Sequence, residues 1–228
     1  YGSTLKNITF DVHKGEILGI GGLTECGMHE LGKIMYGALR PDKGHVSVAN
    51  GEIIKKIKSA LKNDIGYISK DRDGEALMLL GSIKDNICLP SLDKTKKKGL
   101  IFNKTQKEFI EPYVKKLSIK MASSDEYCMY LSGGNKQKVS IAKWLAKDSK
   151  IIIMDCPTRG IDVGVKSDIY KLMMELKKAG KSIIMISEEL PELIGMSDRM
   201  LIIKDGIISG QFERSKDINE SMLIHYMI

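Results

Sequence analysis

The chain lacks several things that would set it outside the ordinary globular class. No apolar stretch in its 228 residues approaches the roughly 18–20 that cross a bilayer as a helix, which excludes a helical span within this sequence. Prolines number only five, and the apolar share of 43% is enough for a real core in one large domain or two small ones. The four cysteines, Cys26, Cys88, Cys128 and Cys156, are scattered and form no C-x-x-C pair. That argues against a zinc ribbon or a disulfide framework and fits buried thiols in a reducing compartment. Charge is not scarce: the net value is +7, and much of it lies in "DKTKKKGLIFNKTQKE" (93–108). A basic run can face nucleic acid or an anionic surface. This one lacks the repeated interleaved aromatics that stack on bases, so a solvated loop and helix face is expected and no nucleic-acid partner.

Strand-length apolar runs recur at "ITFDV" (8–12), "EILGIG" (16–21), "IGYIS" (65–69), "IIIMD" (151–155), "SIIMIS" (182–187) and "MLIIKDGIISGQF" (200–212). Asp205-Gly206 inside the last run predicts a hairpin. Helical periodicity appears in 135–147, with Val139, Ile141, Ala142 and Leu145 on one stripe, and in 166–179, closed by Gly180. Alternating strands and helices predict an α/β fold with a largely parallel sheet. Residues 85–145 show no convincing strand and read as a helical insertion.

Three stretches carry chemistry. "GGLTECGMHE" (21–30) sits between a strand and a helix, where glycine-rich turns cradle phosphate. Gly22 and Gly27 have the spacing of G-x-x-x-x-G-K-[ST], but Met28 stands in place of Lys and His29 in place of the hydroxyl. "LSGGNKQK" puts Ser132-Gly133-Gly134 before a helix expected from Asn135, a turn that exposes backbone N–H groups at a positive helix end. "IIIMD" ends in Asp155, a carboxylate at the carboxyl end of a strand, where phosphate-loop proteins hold Mg²⁺.

Together these resemble the ATP-binding cassette of ABC transporters over nearly the whole chain. "LSGGNKQK" is similar to the family signature, "IIIMD" to its Walker B strand, "GID" with Asp162 to its D-loop, "YISKDR" with Lys70 to its Q-loop and "ISEELPEL" to its switch-histidine loop. "PTRGIDVGVK", "IYKLM" and "MSDRMLIIKDG" resemble the monosaccharide importers of the ribose, galactose and xylose group, whose ATPase carries two cassettes in one polypeptide. "GEILGIGGLTECGMHEL" is similar to the second, whose phosphate loop typically lacks the Lys.

The resemblance implies an α/β P-loop NTPase core of mainly parallel sheet (1–84 and 146–228), a small antiparallel β subdomain and a helical signature subdomain (85–145). It implies ATP and Mg²⁺ as cofactors and Tyr1 as the one aromatic near the expected adenine site. The implied partners are an N-terminal cassette of the same polypeptide, transmembrane permease subunits and, indirectly, an extracellular or periplasmic sugar-binding protein. The implied place is the cytoplasmic face of the membrane. The chain opens with "YGSTLKN" rather than Met, and a fragment of a longer polypeptide is expected.

The departures from the family pattern set expectations of their own. Cys156 replaces the general base and Glu188 the switch histidine, so no catalytic residue is expected in cis; burial beside Asp155 favours a neutral thiol. His29 is expected to be an exposed polar residue at a helix start, and Glu188 a surface residue. Nucleotide contacts in this domain's own site fall to Gly22, Gly27, Met28, His29 and Asp155, with any Mg²⁺ on Asp155 weak or absent. Ser132, Gly133, Gly134 and Asn135 are left to serve a partner's ATP, with Asp162 at the interface. Open alternatives are a nucleoside importer cassette, a soluble ribosome- or DNA-associated cassette, and a non-enzymatic regulatory module.

Overall fold

The computed structural model describes residues 4–97 and 99–228. In chain order the elements are β1 (Ile17–Gly22), α1 (Met28–Met35), α2 (Ile57–Lys62), β2 (Ile65–Ile68), α3 (Ile83–Cys88), α4 (Leu92–Thr95), β3 (Lys96–Lys97), β4 (Leu100–Ile101), α5 (Asn103–Lys116), α6 (Gly133–Lys147), β5 (Ile151–Asp155), α7 (Val163–Lys178), β6 (Ser182–Ile186), α8 (Leu190–Met196), β7 (Arg199–Lys204), β8 (Ile207–Glu213) and α9 (Glu220–Met227). Contacts divide the chain into two compact units. One comprises Tyr1–Tyr67, Lys150–Pro157 and Ser167–Ile228, the other Ile68–Ser149 and Thr158–Lys166.

The first unit is built on a six-stranded sheet of order β2-β5-β6-β1-β7-β8. β1 runs parallel to both β6 and β7, and β5 parallel to β6. These strands are continuous apolar runs because both faces are covered, as parallel sheets require: β1, β2 and β6 are buried at every residue. β8 pairs antiparallel to β7, turning back from it through Asp205 (φ 49°) and Gly206 (φ 79°) as the dipeptide predicts. Its alternation of half-buried and exposed residues is that of an edge strand.

One expectation is corrected here. "ITFDV" (8–12) forms no strand. The carbonyl of Asp11 accepts a hydrogen bond from the buried Arg199 guanidinium instead of a ladder N–H. The nearby antiparallel pairing is confined to a short hairpin over 46–54, with Ile54 N–H on the Val46 carbonyl at 2.8 Å and a bridge between Ser47 and Ile53. Residues 85–145 do contain strands, though only the two-residue pair β3–β4.

The second unit is helical around α6. This helix is buried from Gln137 to Ala146 on every side, because α3 and α5 pack against it. Burial therefore extends beyond the apolar stripe read from the sequence: even Lys143 lies inside, donating from Nζ to the Ala76 carbonyl at 2.6 Å. Burial pushes its ammonium down to about 8. Helix α6 starts at Gly133, two residues before the expected Asn135, with Ser132 as its N-cap residue.

Candidate functional site

The glycine-rich loop and the end of β5 belong to the first unit and meet there. Gly27 is the N-cap of α1 with φ 96°, a left-handed conformation that favours glycine. A Cβ on Gly22 would lie 2.4 Å from both the Ile203 carbonyl oxygen and the Cys26 sulfur. Both glycines are therefore demanded by the strand-turn-helix itself, whether or not a phosphate is bound.

Met28 is fully buried, its thioether in the core. His29 is buried as well, which corrects the expected exposed residue. Its ring bridges two carboxylates, with Nδ1 2.7 Å from Asp155 Oδ1 and Nε2 3.1 Å from Glu188 Oε1. Glu188 keeps its expected exposed position and reaches the same cluster from there. The physical reason is Asp155, which is 0% exposed: a buried carboxylate needs partners, and breaking such a pair costs about 3–5 kcal/mol. Its second oxygen accepts from the Tyr67 hydroxyl at 3.0 Å. Tyr67 in turn stacks on Tyr36 with ring centroids 5.4 Å apart. Cys156 follows Asp155 with φ 48°, its N–H on the Ile186 carbonyl at 2.8 Å. Ligand atoms of His29, Asp155 and Cys156 all lie within 4.8 Å of one another.

The second constellation lies in the helical unit. Ser132 leaves the first turn of α6 uncapped by its side chain; its Oγ accepts from Asn135 Nδ2 at 3.0 Å instead. Asn135 Oδ1 takes the Lys120 N–H at 2.8 Å. The first N–H groups of a helix have no partner within it, so this turn presents donors at a positive helix end. Arg72, which sequence reasoning passed over, sits beside it. Its Nη1 donates to the Arg159 carbonyl at 3.1 Å, and a Cβ on Gly133 would lie 3.6 Å from its Nη2. Asp162 accepts the Val165 N–H at 3.0 Å and so caps the start of α7. Lys70 is half-buried. Tyr1, expected near adenine, lies outside the described residues.

The lysine run is partly spent on structure. Lys94 donates to the Ala146 and Lys147 carbonyls at the end of α6, at 3.2 and 3.0 Å, and Lys107 pairs with Asp125. Among the described residues no helix is long and apolar enough to cross a membrane.

The residues at the Asp155 end do not fit the implied Mg²⁺ with ATP. Mg²⁺ wants near-octahedral oxygen ligands and keeps several waters. Here the hydroxyl position is an imidazole, the carboxylate after Asp155 is a thiol, and both Asp155 oxygens are engaged. Met28 offers no donor to a phosphate.

Comparison with known proteins gives the family and the fold. The family described as ABC transporter matches residues 5–159. The ribose import ATP-binding protein RbsA of Bacillus subtilis (strain 168) is 42% identical over 221 residues, covering 96% of this chain and 45% of that protein. The RbsA of Clostridium tetani (strain Massachusetts / E88) is 42% identical over 225 residues, covering 98% and 45%. The chain thus spans about half the length of the curated relatives it matches. A dimeric ATP-binding cassette in a post-hydrolysis state bound to ADP and Pi superposes with a TM-score of 0.82 at 22% identity, covering 93% of this chain and 91% of that one. A nucleotide-free cassette from an ABC transporter gives 0.77 at 19%, covering 98% and 88%. At those identities the likeness is one of fold, and the fold is the ABC cassette P-loop NTPase fold.

Proposed function

The chain belongs to the ABC transporter family, whose cassettes take ATP with Mg²⁺, and from that premise we propose that it is the second cassette of a monosaccharide importer's ATPase. It works as the signature half of a hydrolytic site whose phosphate loop lies on a partner cassette. The relatives named for ribose import make ribose or a similar pentose or hexose the transported class.

One contrast carries the proposal. The turn at Ser132, Gly133 and Gly134 keeps its donors and has the Arg72 cation beside it. The chain's own loop has filled its phosphate and metal positions with Met28 and a His29–Asp155–Glu188 bridge. In this reading Gly133 and Gly134 donate N–H groups to a phosphate held by the partner. Ser132 and Asn135 hold the turn in shape, and Asp162 lies at the cassette interface. Residues 85–145 form the signature subdomain, and those from about 68 to 90 meet a transmembrane permease at the cytoplasmic face. The partner cassette precedes this one in the same polypeptide, and an extracellular sugar-binding protein delivers the cargo.

The test is nucleotide titration and turnover on the purified chain. Losing a charge-assisted phosphate contact costs about 1.5–3 kcal/mol, roughly ten- to a hundredfold in affinity. The expected dissociation constant for Mg-ATP is therefore above about 100 μM against a micromolar site. No ATPase activity above background is expected, because the base and the positioned metal are both replaced. Mixing with a separately expressed cassette that carries an intact phosphate loop restores hydrolysis. Turnover by the chain alone, or low-micromolar binding, would overturn the proposal.

A further inference from the structure

We propose that His29, Asp155 and Cys156 form a binding site for a borderline divalent cation, with Zn²⁺ as its representative, where the fold family holds Mg²⁺. This rests on the reading above that the phosphate site is degenerate, and it says what replaced it. His29 lies 126 residues from the adjacent pair Asp155 and Cys156, yet the three are buried together and their nitrogen, oxygen and sulfur atoms lie within 4.8 Å of one another. That donor set is wrong for a hard ion and suits Zn²⁺, which takes imidazole, carboxylate and thiolate at about 2.0–2.3 Å in a tetrahedron.

The ligands are His29 Nδ1, Asp155 Oδ1 and Cys156 Sγ. Tetrahedral ligand atoms at those bond lengths stand about 3.3–3.7 Å apart. The His29–Asp155 contact at 2.7 Å therefore opens by under about an ångström as the metal enters between them, with the thiol already within 4.8 Å of both. What marks the place as built is its outer ring of partners. His29 Nε2 faces Glu188 Oε1 at 3.1 Å, the carboxylate that fixes tautomer and ring orientation in metal-ligating histidines. Asp155 Oδ2 is held by the Tyr67 hydroxyl at 3.0 Å, which aims Oδ1 at the centre. Each of these two ligands thus already has its supporting hydrogen bond.

The local charge agrees. Asp155 and Glu188 both converge on one imidazole, and the lysine that would ordinarily stand at this loop is Met28. The amino end of α1 opposes a cation only weakly, less than two carboxylates and a thiolate attract it. The metal takes the cysteine as thiolate and the imidazole through an unprotonated Nδ1, so its binding is coupled to proton release to solvent. With three protein ligands, the fourth position is open to water or a small anion. The site ties the start of α1 to the end of β5, which in a working cassette is the task of nucleotide and Mg²⁺.

The experiment uses the purified chain, stripped with chelator and then titrated with Zn²⁺ and with Co²⁺. One Zn²⁺ per chain is expected to remain after gel filtration. Co²⁺ is expected to give intense tetrahedral visible bands with a thiolate-to-metal charge-transfer band. Cys156→Ser loses the charge-transfer band. Glu188→Gln keeps it with roughly ten- to a hundredfold weaker binding, as for the loss of an outer partner. His13→Gln, which removes the exposed His13–Asp11 pair, changes nothing. X-ray absorption at the zinc edge of the unaltered chain shows one sulfur ligand, a readout that survives any variant failing to fold. No retained Zn²⁺, no sulfur at the edge, or a charge-transfer band that persists in Cys156→Ser would overturn the proposal. Metal content is read without partner or nucleotide, so it fails or stands separately from the importer reading. ATP turnover by the chain alone would sink that reading and leave the metal result intact.

Discussion

Gly133→Asp separates the work done by this chain from the integrity of its fold. Gly133 opens α6, and a Cβ there would meet nothing nearer than Arg72 Nη2 and the Gly160 carbonyl oxygen, each at 3.6 Å. That is ordinary van der Waals contact. A carboxylate at the first turn of a helix is favourable by about 0.3–1 kcal/mol, and Arg72 lies within reach to pair with it. The thermal midpoint of the chain should therefore stay level or rise slightly. The effect on a phosphate presented by a partner is the opposite. Two negative charges about 4 Å apart repel by about 4 kcal/mol at the effective dielectric of a protein surface, which is close to a thousandfold in rate or affinity. Even if water screens most of that, neutralising Arg72 and losing one charge-assisted contact removes about 1.5–3 kcal/mol, or ten- to a hundredfold. The assay is ATPase activity and sugar uptake by the complete importer in proteoliposomes, beside a melting curve of the same preparation. Gly133→Ala, which has the same room and no charge, should keep most of the activity. A folded Gly133→Asp protein that hydrolyses ATP and imports sugar at the normal rate refutes the assignment of this turn to a partner's phosphate.

Three other outcomes follow from the same geometry. Cys156→Glu restores the carboxylate of the family pattern yet should gain almost no turnover, since Asp155 stays bonded to His29 and Tyr67 and a base acts only beside a positioned substrate; a severalfold gain in steady-state ATPase would contradict this. Gly27→Ala forces a side chain into φ 96° with its Cβ 2.6 Å from Leu5 Cδ2, and should lower stability by about 1–3 kcal/mol in urea melts without any nucleotide present; an unchanged midpoint would mean that the glycine serves phosphate and not the fold. Burial holds Lys143 at about 8 against an ordinary 10.5, so the unfolded chain binds more protons between those values and stability should climb from pH 8 to 9 by up to about 1.4 kcal/mol. Above about pH 9 the Cys88 and Cys128 thiols, raised by burial to about 11, pull the other way, because the folded chain keeps protons that the unfolded one loses. Lys143→Met should flatten the first slope and leave the second, and a slope that survives it would place the titrating group elsewhere.

The sheet was legible because its signals are local. A buried parallel strand is a short apolar run, and β5 and β6 lie where "IIIMD" and "SIIMIS" say. The Asp205-Gly206 turn needs positive φ twice, and the dipeptide announces it. "ITFDV" failed for a non-local reason: an apolar run becomes a strand only if a neighbour offers a ladder, and here the Asp11 carbonyl goes to Arg199, 188 residues away. The motif residues were legible in the same limited way. Spacing located the loop, the Ser132 turn and the Asp155 strand end, but said nothing of what meets them.

The misreading of His29 has a cause that bears on how a failed motif should be judged. Taken singly, it is a polar residue at a helix start, where solvent is the default. His29 meets Asp155 across 126 residues and Glu188 across 159, and Tyr67 meets Asp155 across 88. None of these pairings has a sequence period. Yet the substitutions are not independent losses. With Lys and the hydroxyl gone, a fully buried Asp155 would keep only one neutral hydrogen bond, at a cost of several kcal/mol. An imidazole in the next turn supplies the missing cation or donor, and a carboxylate at 188 supplies that imidazole with its second partner. Met28 fills with a thioether the core space beside them, which is 0% exposed. His29 and Glu188, which look like decay in the sequence, compose with Asp155 and Tyr67 one satisfied polar cluster. A loop that had only decayed would leave Asp155 stranded. This one holds Asp155 with partners on both oxygens, and under the proposal above the thiol beside it makes a borderline cation the ligand to look for.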